Sequence, residues 1–99
     1  MGVEDHNNVF IAFQNNEEAR PIIEAIVEDN PAAVVNEFPA MVKIDVPRRL
    51  VVRRATIEEK IGRAFDLQSI HVNLVSLAGN IDESEDEFIL AWGKPGHSA

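Results

Sequence analysis

The chain contains no cysteine. That excludes disulfides, thiolate metal centres and cysteine nucleophiles, and it allows a reducing compartment. Long apolar runs are also absent. No stretch could span a bilayer, and "MGVEDHNN" at the start has neither the basic nor the apolar region of a secretory signal. Positive charge is scarce: 9 Lys and Arg stand against 17 Asp and Glu, for a formal net charge of −8. Such a balance repels nucleic acid and anionic membrane, and it suits either plain solubility or a partner with basic patches. A soluble, cytoplasmic protein that binds neither nucleic acid nor membrane is expected.

The familiar signatures of catalysis are missing too. No P-loop, dinucleotide fingerprint, nucleophile elbow or zinc signature occurs. His6, His71 and His97 are scattered, and there is no Glu-x-x-His pair, which a di-iron carboxylate site requires twice. Glu58 and Glu59 are adjacent, so on a helix they point about 100° apart; helix-dipole and capping roles account for them better than acid–base work. "DESEDE", Asp82 to Glu87, begins like a calcium loop, but Glu87 and Gly93 stand where that loop needs its glycine and its bidentate Glu. A solvated charge run fits better. His71 has no nucleophile set beside it by any motif and reads as a surface or hydrogen-bonded histidine. Arg48, Arg49, Arg53 and Arg54 gather around one strand without interleaved aromatics; salt bridges to the chain's own carboxylates are the first reading and an acidic partner the second. No cofactor and no metal site is expected, and the chemistry is that of a binding module.

What is present is a dense apolar pattern. Apolar residues make up 45% of the 99 residues and charged residues 26%, which suits one globular domain with a single core. The polar or Gly/Pro-containing ends, 1–7 and 93–99, are expected to be mobile tails around a domain of residues 8–92. "VFIAF" reads as a strand, and Asn15 or Asn16 with Glu17 and Glu18 as the start of a helix. Ile22, Ile23, Ile26 and Val27 continue that helix, over about Arg20 to Asp29, until Pro31 ends it. Val42, Ile44 and Val46 alternate with Lys43 and Asp45, and "RLVVRR" follows. Thr56 and Glu59 form a capping-box pattern for a second helix carrying Ile57, Ile61, Ala64 and Phe65 on one face. Two strands, about Ile70 to Leu77 and Glu87 to Trp92, complete the chain, with Gly79-Asn80 as a turn signal between them. The expected class is α+β, in the order β-α-β-β-β-α-β-β, with two or three helices on a mostly antiparallel sheet.

One run breaks its own rule. In "NLVSLAG", Asn73 to Gly79, the alternation of Ile70, Val72 and Leu74 with polar residues gives way to Val75 and Leu77 on the face that had been polar. A strand end covered on both sides would explain this. So would an exposed apolar patch, which usually marks a binding site.

The segments "NNVFIAFQNNEEARPIIEAIVEDNP", "FPAMVKIDVP", "TIEEKIGRAFD" and "HVNLVSLAGNIDE" resemble the small effector, or coupling, proteins of bacterial multicomponent phenol hydroxylases, relatives of the effectors of toluene and methane monooxygenases. The resemblance covers about residues 7 to 92. It implies a non-catalytic, cofactor-free protein that docks on the large di-iron subunit of the hydroxylase and adjusts substrate access, oxygen activation and coupling to NADH oxidation. It also implies that Asn73, Val75, Ser76, Leu77 and Gly79 are partner-binding candidates, with Asn73, Val75 and Leu77 forming an outward face. Val75 and Leu77 stand where methane effectors carry small hydroxylated residues, and the long N-terminal extension of those effectors is lacking. Weak self-association of the free protein is left open. The alternative from another class is a sensor domain that binds an apolar or aromatic small molecule between helix and sheet. A cofactor-independent enzyme built on His71 would need an acid and a base placed together, and no motif places them.

Overall fold

The computed structural model describes residues 8–92; both expected tails lie outside the described residues. Seven strands form two antiparallel sheets. The first has the order β2-β3-β1-β5, from β1 (Asn8–Gln14), β2 (Val34–Glu37), β3 (Met41–Pro47) and β5 (Leu74–Ala78). The second has the order β4-β7-β6, from β4 (Arg49–Arg53), β6 (Asn80–Glu83) and β7 (Glu87–Ala91). The α+β class and the expected order hold, with β6 as one strand more than expected.

The core follows from alternation. Val9, Ile11 and Phe13 of β1, Ile44 of β3, and Leu50, Val52, Phe88 and Leu90 of the second sheet are all fully buried, and they meet Ile26 of the first helix in one cluster. Each such side chain contributes about 1.5–3 kcal/mol by leaving water. On the other face of β1, the Lys43 ammonium lies 4.4 Å from the centre of the Phe10 ring.

Helix α1 (Arg20–Asp29) buries Ile22, Ala25 and Ile26, a stripe of spacing three and four, and packs on β4 and on the second helix. The N-cap expected at Asn15 or Asn16 falls instead on Ala19, whose side chain cannot cap; Asn16 Oδ1 accepts the Ala19 N–H at 2.8 Å and closes the turn just before the helix. At its exit, buried Asn30 does more than precede a proline. Its Nδ2 donates to the carbonyls of Ile26 and Val51, at 2.7 and 2.8 Å, and its Oδ1 accepts the Val51 N–H at 3.0 Å. One side chain thus satisfies both backbone groups of Val51 on the free edge of β4 and fastens α1 to it, each bond adding about 1 kcal/mol.

Two expectations fail. Helix α2 (Arg54–Ile61) starts two residues before Thr56, so the Thr56–Glu59 capping box does not form. The Arg54 N–H is satisfied instead by the Asp86 carbonyl at 2.9 Å, and Thr56 is buried inside the first turn. Gly62, left-handed at φ 75°, ends the helix and leaves Ala64 and Phe65 beyond it. The second failure is the strand expected from Ile70. Residues Leu67–Val72 form a 3-10 helix whose first turn is capped by Asp66, its carboxylate accepting the Gln68 N–H at 3.1 Å. Leu67 and Ile70, three apart and both buried, obey its three-residue turn and leave Val72 outside. No helix among the described residues is long and apolar enough to cross a membrane.

The chain passes between the sheets at two single-residue corners. Arg48, at φ 69°, links β3 to β4, and Gly79, at φ 133°, links β5 to β6. The turn expected at Gly79-Asn80 is therefore a corner leading into β6. A left-handed backbone costs a residue with a side chain about 1 kcal/mol or more, which glycine escapes and Arg48 does not.

Candidate functional site

Strand β5 is an edge, hydrogen-bonded to β1 alone. Its register explains the broken alternation. Phe10 faces Ala78, Ile11 faces Leu77 and Ala12 faces Ser76, but the next residue, Phe13, faces Leu74. Val75 is the extra residue of a β-bulge. The bulge resets the pleat, so Val75 and Ser76 are exposed one after the other, while Leu77 turns inward and packs against the core.

The five candidate residues therefore do not share one outward face. Asn73 is 5% exposed and Val75 49%, and that contrast separates their roles. Asn73 Oδ1 accepts from Asn16 Nδ2 at 3.0 Å, and its Nδ2 donates to Glu18 Oε1 at 3.3 Å. Its carbonyl accepts the Gln14 N–H at 2.8 Å. Asn73 thus ties the foot of β5 to the end of β1 and to the turn before α1. At the other end of the strand, a Cβ on Gly79 would lie 3.0 Å from Val9 Cγ1 and 3.4 Å from Leu90 Cβ. Close packing as well as dihedral angle demands glycine there. The residue that sequence reasoning missed is Val72, 67% exposed beside the foot of β5. Strand alternation with Ile70 and Leu74 places it inward, but the 3-10 helix over Leu67–Val72 turns it out. The exposed residues of this segment are Val72, at the end of the 3-10 helix, and Val75 and Ser76, held between the internal amide of Asn73 and the packed Gly79.

His71, Arg53, Arg54 and the acidic run have partners within the fold, whereas Arg48 and Arg49 have no ion pair among the described residues. Nε2 of His71 lies 3.5 Å from Glu83 Oε2, and its ring meets Phe88 edge to face at 5.8 Å. Arg54 pairs with Asp86 at 2.6 Å and Arg53 with Glu87 at 3.7 Å. Within the acidic run, the Ser84 hydroxyl accepts the Asp86 and Glu87 N–H groups, at 3.3 and 3.2 Å, and closes the β6–β7 turn. Glu58 Oε2 accepts the Phe65 N–H at 3.0 Å, a structural role. Among the described residues no three His, Asp or Glu side chains are grouped to hold a metal ion. Two grooves, of about 690 and 530 Å³, run along the 3-10 helix. One is lined by Arg54, Asp66, Gln68, Glu83 and Glu85 among others, the other by Glu17, Glu18, Arg63 and Asp66 beside Ile22, Ile61 and Val72. Chemically, the β5 edge offers apolar contact and a hydroxyl, with no base bonded to Ser76 among the described residues. That equips it to bind a protein surface.

The profile of the MmoB/DmpM family matches residues 7–91, from the first strand to the last. The chain belongs to the MmoB/DmpM family. A relative from Pseudomonas sp. (strain CF600), the stimulatory component DmpM of phenol 2-monooxygenase, is 50% identical over 84 residues, which are 85% of this chain and 93% of that protein. The effector subunit of the alkene monooxygenase system of Xanthobacter autotrophicus (strain ATCC BAA-1158 / Py2) is 32% identical over 85 residues, 84% of each chain. Among solved structures, a chain of a phenol hydroxylase–regulatory protein complex superposes with a TM-score of 0.84 at 49% identity, covering 87% of this chain and 99% of that one.

Proposed function

We infer that this chain is the regulatory effector of a phenol-hydroxylating multicomponent monooxygenase. It is the non-catalytic component, and its partner is the hydroxylase. The observation that carries this is the near end-to-end match, at 50% identity, to the stimulatory component of phenol 2-monooxygenase. The likeness to a chain solved in complex with phenol hydroxylase supports the same partner.

Docking can alter a hydroxylase only if two conformations of that enzyme bind the effector with different affinity. The effector surface must therefore complement one of them. The β5 segment suits this task. Val75 and Ser76, with Val72 beside them, make the contact, while Asn73, Leu77 and Gly79 hold them in place. A cytoplasmic location belongs to the same proposal.

The experiment is steady-state phenol oxidation by hydroxylase and reductase with and without this protein, measuring hydroxylated product per NADH consumed. A rise in rate or coupling is expected, and no change in either removes the effector reading. For the docking edge, the Val72→Asp/Val75→Asp variant is expected to melt at the wild-type temperature and to need about ten-fold more protein for half-maximal stimulation, since desolvating two carboxylates opposes docking by at least 1.4 kcal/mol. Half-maximal stimulation at the wild-type concentration would place the contact elsewhere. Leu77→Asp is unsuitable for this purpose, because Leu77 packs on the core and its loss confounds docking with folding.

A further inference from the structure

The two corners between the sheets lie side by side. Ala91, the last residue of β7, pairs with Arg49 on one side and with Asn80 on the other, so Arg48 and Gly79 flank the same strand end. Trp92 follows directly. It is half exposed, yet its Nε1–H donates to the Asn8 carbonyl at 2.7 Å, and Asn8 is itself paired with Pro47, the neighbour of Arg48. The register thus brings an indole of fixed orientation and two arginines to one corner.

Lys43, Arg53, Arg54 and Lys60 each have a carboxylate within ion-pair distance. Arg48 and Arg49, like Arg20 and Arg63, have none among the described residues, although the chain carries a net charge of −8; what sets Arg48 and Arg49 apart is that they are adjacent, both exposed, and at one corner with Trp92. Arg48 also keeps its side chain at φ 69°, where glycine would relax the backbone. Tryptophan and arginine are the residue types that dominate binding energy at protein interfaces. Finally, the chain of the β5 edge runs through Gly79 into this same corner.

Resting on the effector reading above, we propose that Arg48, Arg49 and Trp92 form a second contact with the hydroxylase, on an acidic patch of that protein, with the indole seated against an apolar spot beside the carboxylates. An acidic effector is repelled by such a patch on its other faces and attracted at this corner. The pair therefore orients the approach and brings β5 to its site in one register.

The test uses the full chain and purified hydroxylase, with binding followed over a range of salt concentrations. Arg48→Glu/Arg49→Glu is expected to raise Kd about ten-fold or more at low ionic strength, mostly through slower association, and the gap to wild type narrows as salt screens the charges. Arg48→Gly should weaken binding while Tm holds or rises, which separates docking from folding. Trp92→Ala should speed dissociation. If wild type binds and stimulates but the double charge reversal binds equally well at every salt concentration, this contact is overturned and the effector reading stands. If wild type neither binds nor stimulates the hydroxylase, the effector reading falls and this contact with it.

Discussion

Gly79 offers the sharpest test of how β5 is held, because two separable penalties meet there. Alanine at this position would take φ 133°, a region essentially reserved for glycine, at a cost of about 2 kcal/mol. Its Cβ would also lie 3.0 Å from Val9 Cγ1, and Val9 is fully buried in one of the two inner strands of its sheet, so the neighbour cannot withdraw into solvent. Forcing a methyl group into such packing costs about 1–3 kcal/mol. The sum, about 3–5 kcal/mol, should lower Tm by roughly 12–40 °C in a domain of this size.

Gly62 supplies the control. It too is left-handed, at φ 75°, but a Cβ there meets nothing within 4 Å. Gly62→Ala should therefore cost only about 1 kcal/mol, the dihedral penalty alone. A double-mutant cycle isolates the contact: in a Val9→Ala background, Gly79→Ala should cost about 1–2 kcal/mol less than in wild type, because the clashing Cγ1 is gone. The assay is thermal or urea unfolding followed by circular dichroism. If Gly79→Ala proved no more destabilising than Gly62→Ala, or the cycle gave no coupling, close packing would not be what fixes this corner.

Asn73→Ala removes two side-chain hydrogen bonds, one of them to the Glu18 carboxylate, and should cost about 2 kcal/mol in urea unfolding. It should also lower maximal stimulation of the hydroxylase even at saturating effector, because the foot of β5 is no longer fixed; unchanged maximal stimulation would show that the foot need not be held. Lys60 Nζ bonds Glu28 Oε1 at 2.6 Å, bridging α2 to α1, and this bond holds its ammonium above the usual lysine value of 10.5. A folded-state value above the unfolded one means stability that is fully present below pH 10.5 and lost as pH rises through the folded value. The stability gap between wild type and Lys60→Met should thus stay constant through neutral pH and close only in stronger alkali; a gap that closed below pH 10.5 would contradict the assignment.

The elements legible in the sequence are those whose period admits one interpretation. Val9, Ile11 and Phe13, or Val42, Ile44 and Val46, alternate as only a strand does, and Ile22 with Ile26 marks a helix that Pro31 must end. Between Leu67 and Leu74 the apolar residues satisfy two periods at once. Ile70, Val72 and Leu74 suggest a strand, Leu67 and Ile70 a three-residue turn, and the cap from Asp66 decides for the turn. The bulge at Val75 was visible only as a fault in the pattern, because register is a property of two strands and its cause lies in β1. Asn30 and Asn73 left no trace of their roles: apart from the Ile26 carbonyl, the groups their side chains satisfy are 21 to 57 residues away in the chain, and an asparagine near a proline or a strand looks like surface until those partners arrive. Arg48 is the extreme case, a corner made by a residue with no turn propensity to announce it.

These same concealed residues decide how the outward surface behaves. An apolar contact presented by a loose edge loses binding energy to the ordering of that edge, whereas a fixed edge does not. Strand β5 is held at its foot by the Asn73 amide and at its end by the packing around Gly79, with Leu77 anchored between them. Val75 and Ser76 are consequently displayed by a segment that cannot readily adapt to two shapes of partner. A rigid surface complementary to one conformation of the hydroxylase and poorly matched to the other has the differential affinity that a population shift requires. A softer edge would bind both and shift neither. Loosening β5 from within should therefore erode stimulation more than binding, and blunting its exposed side chains should do the reverse.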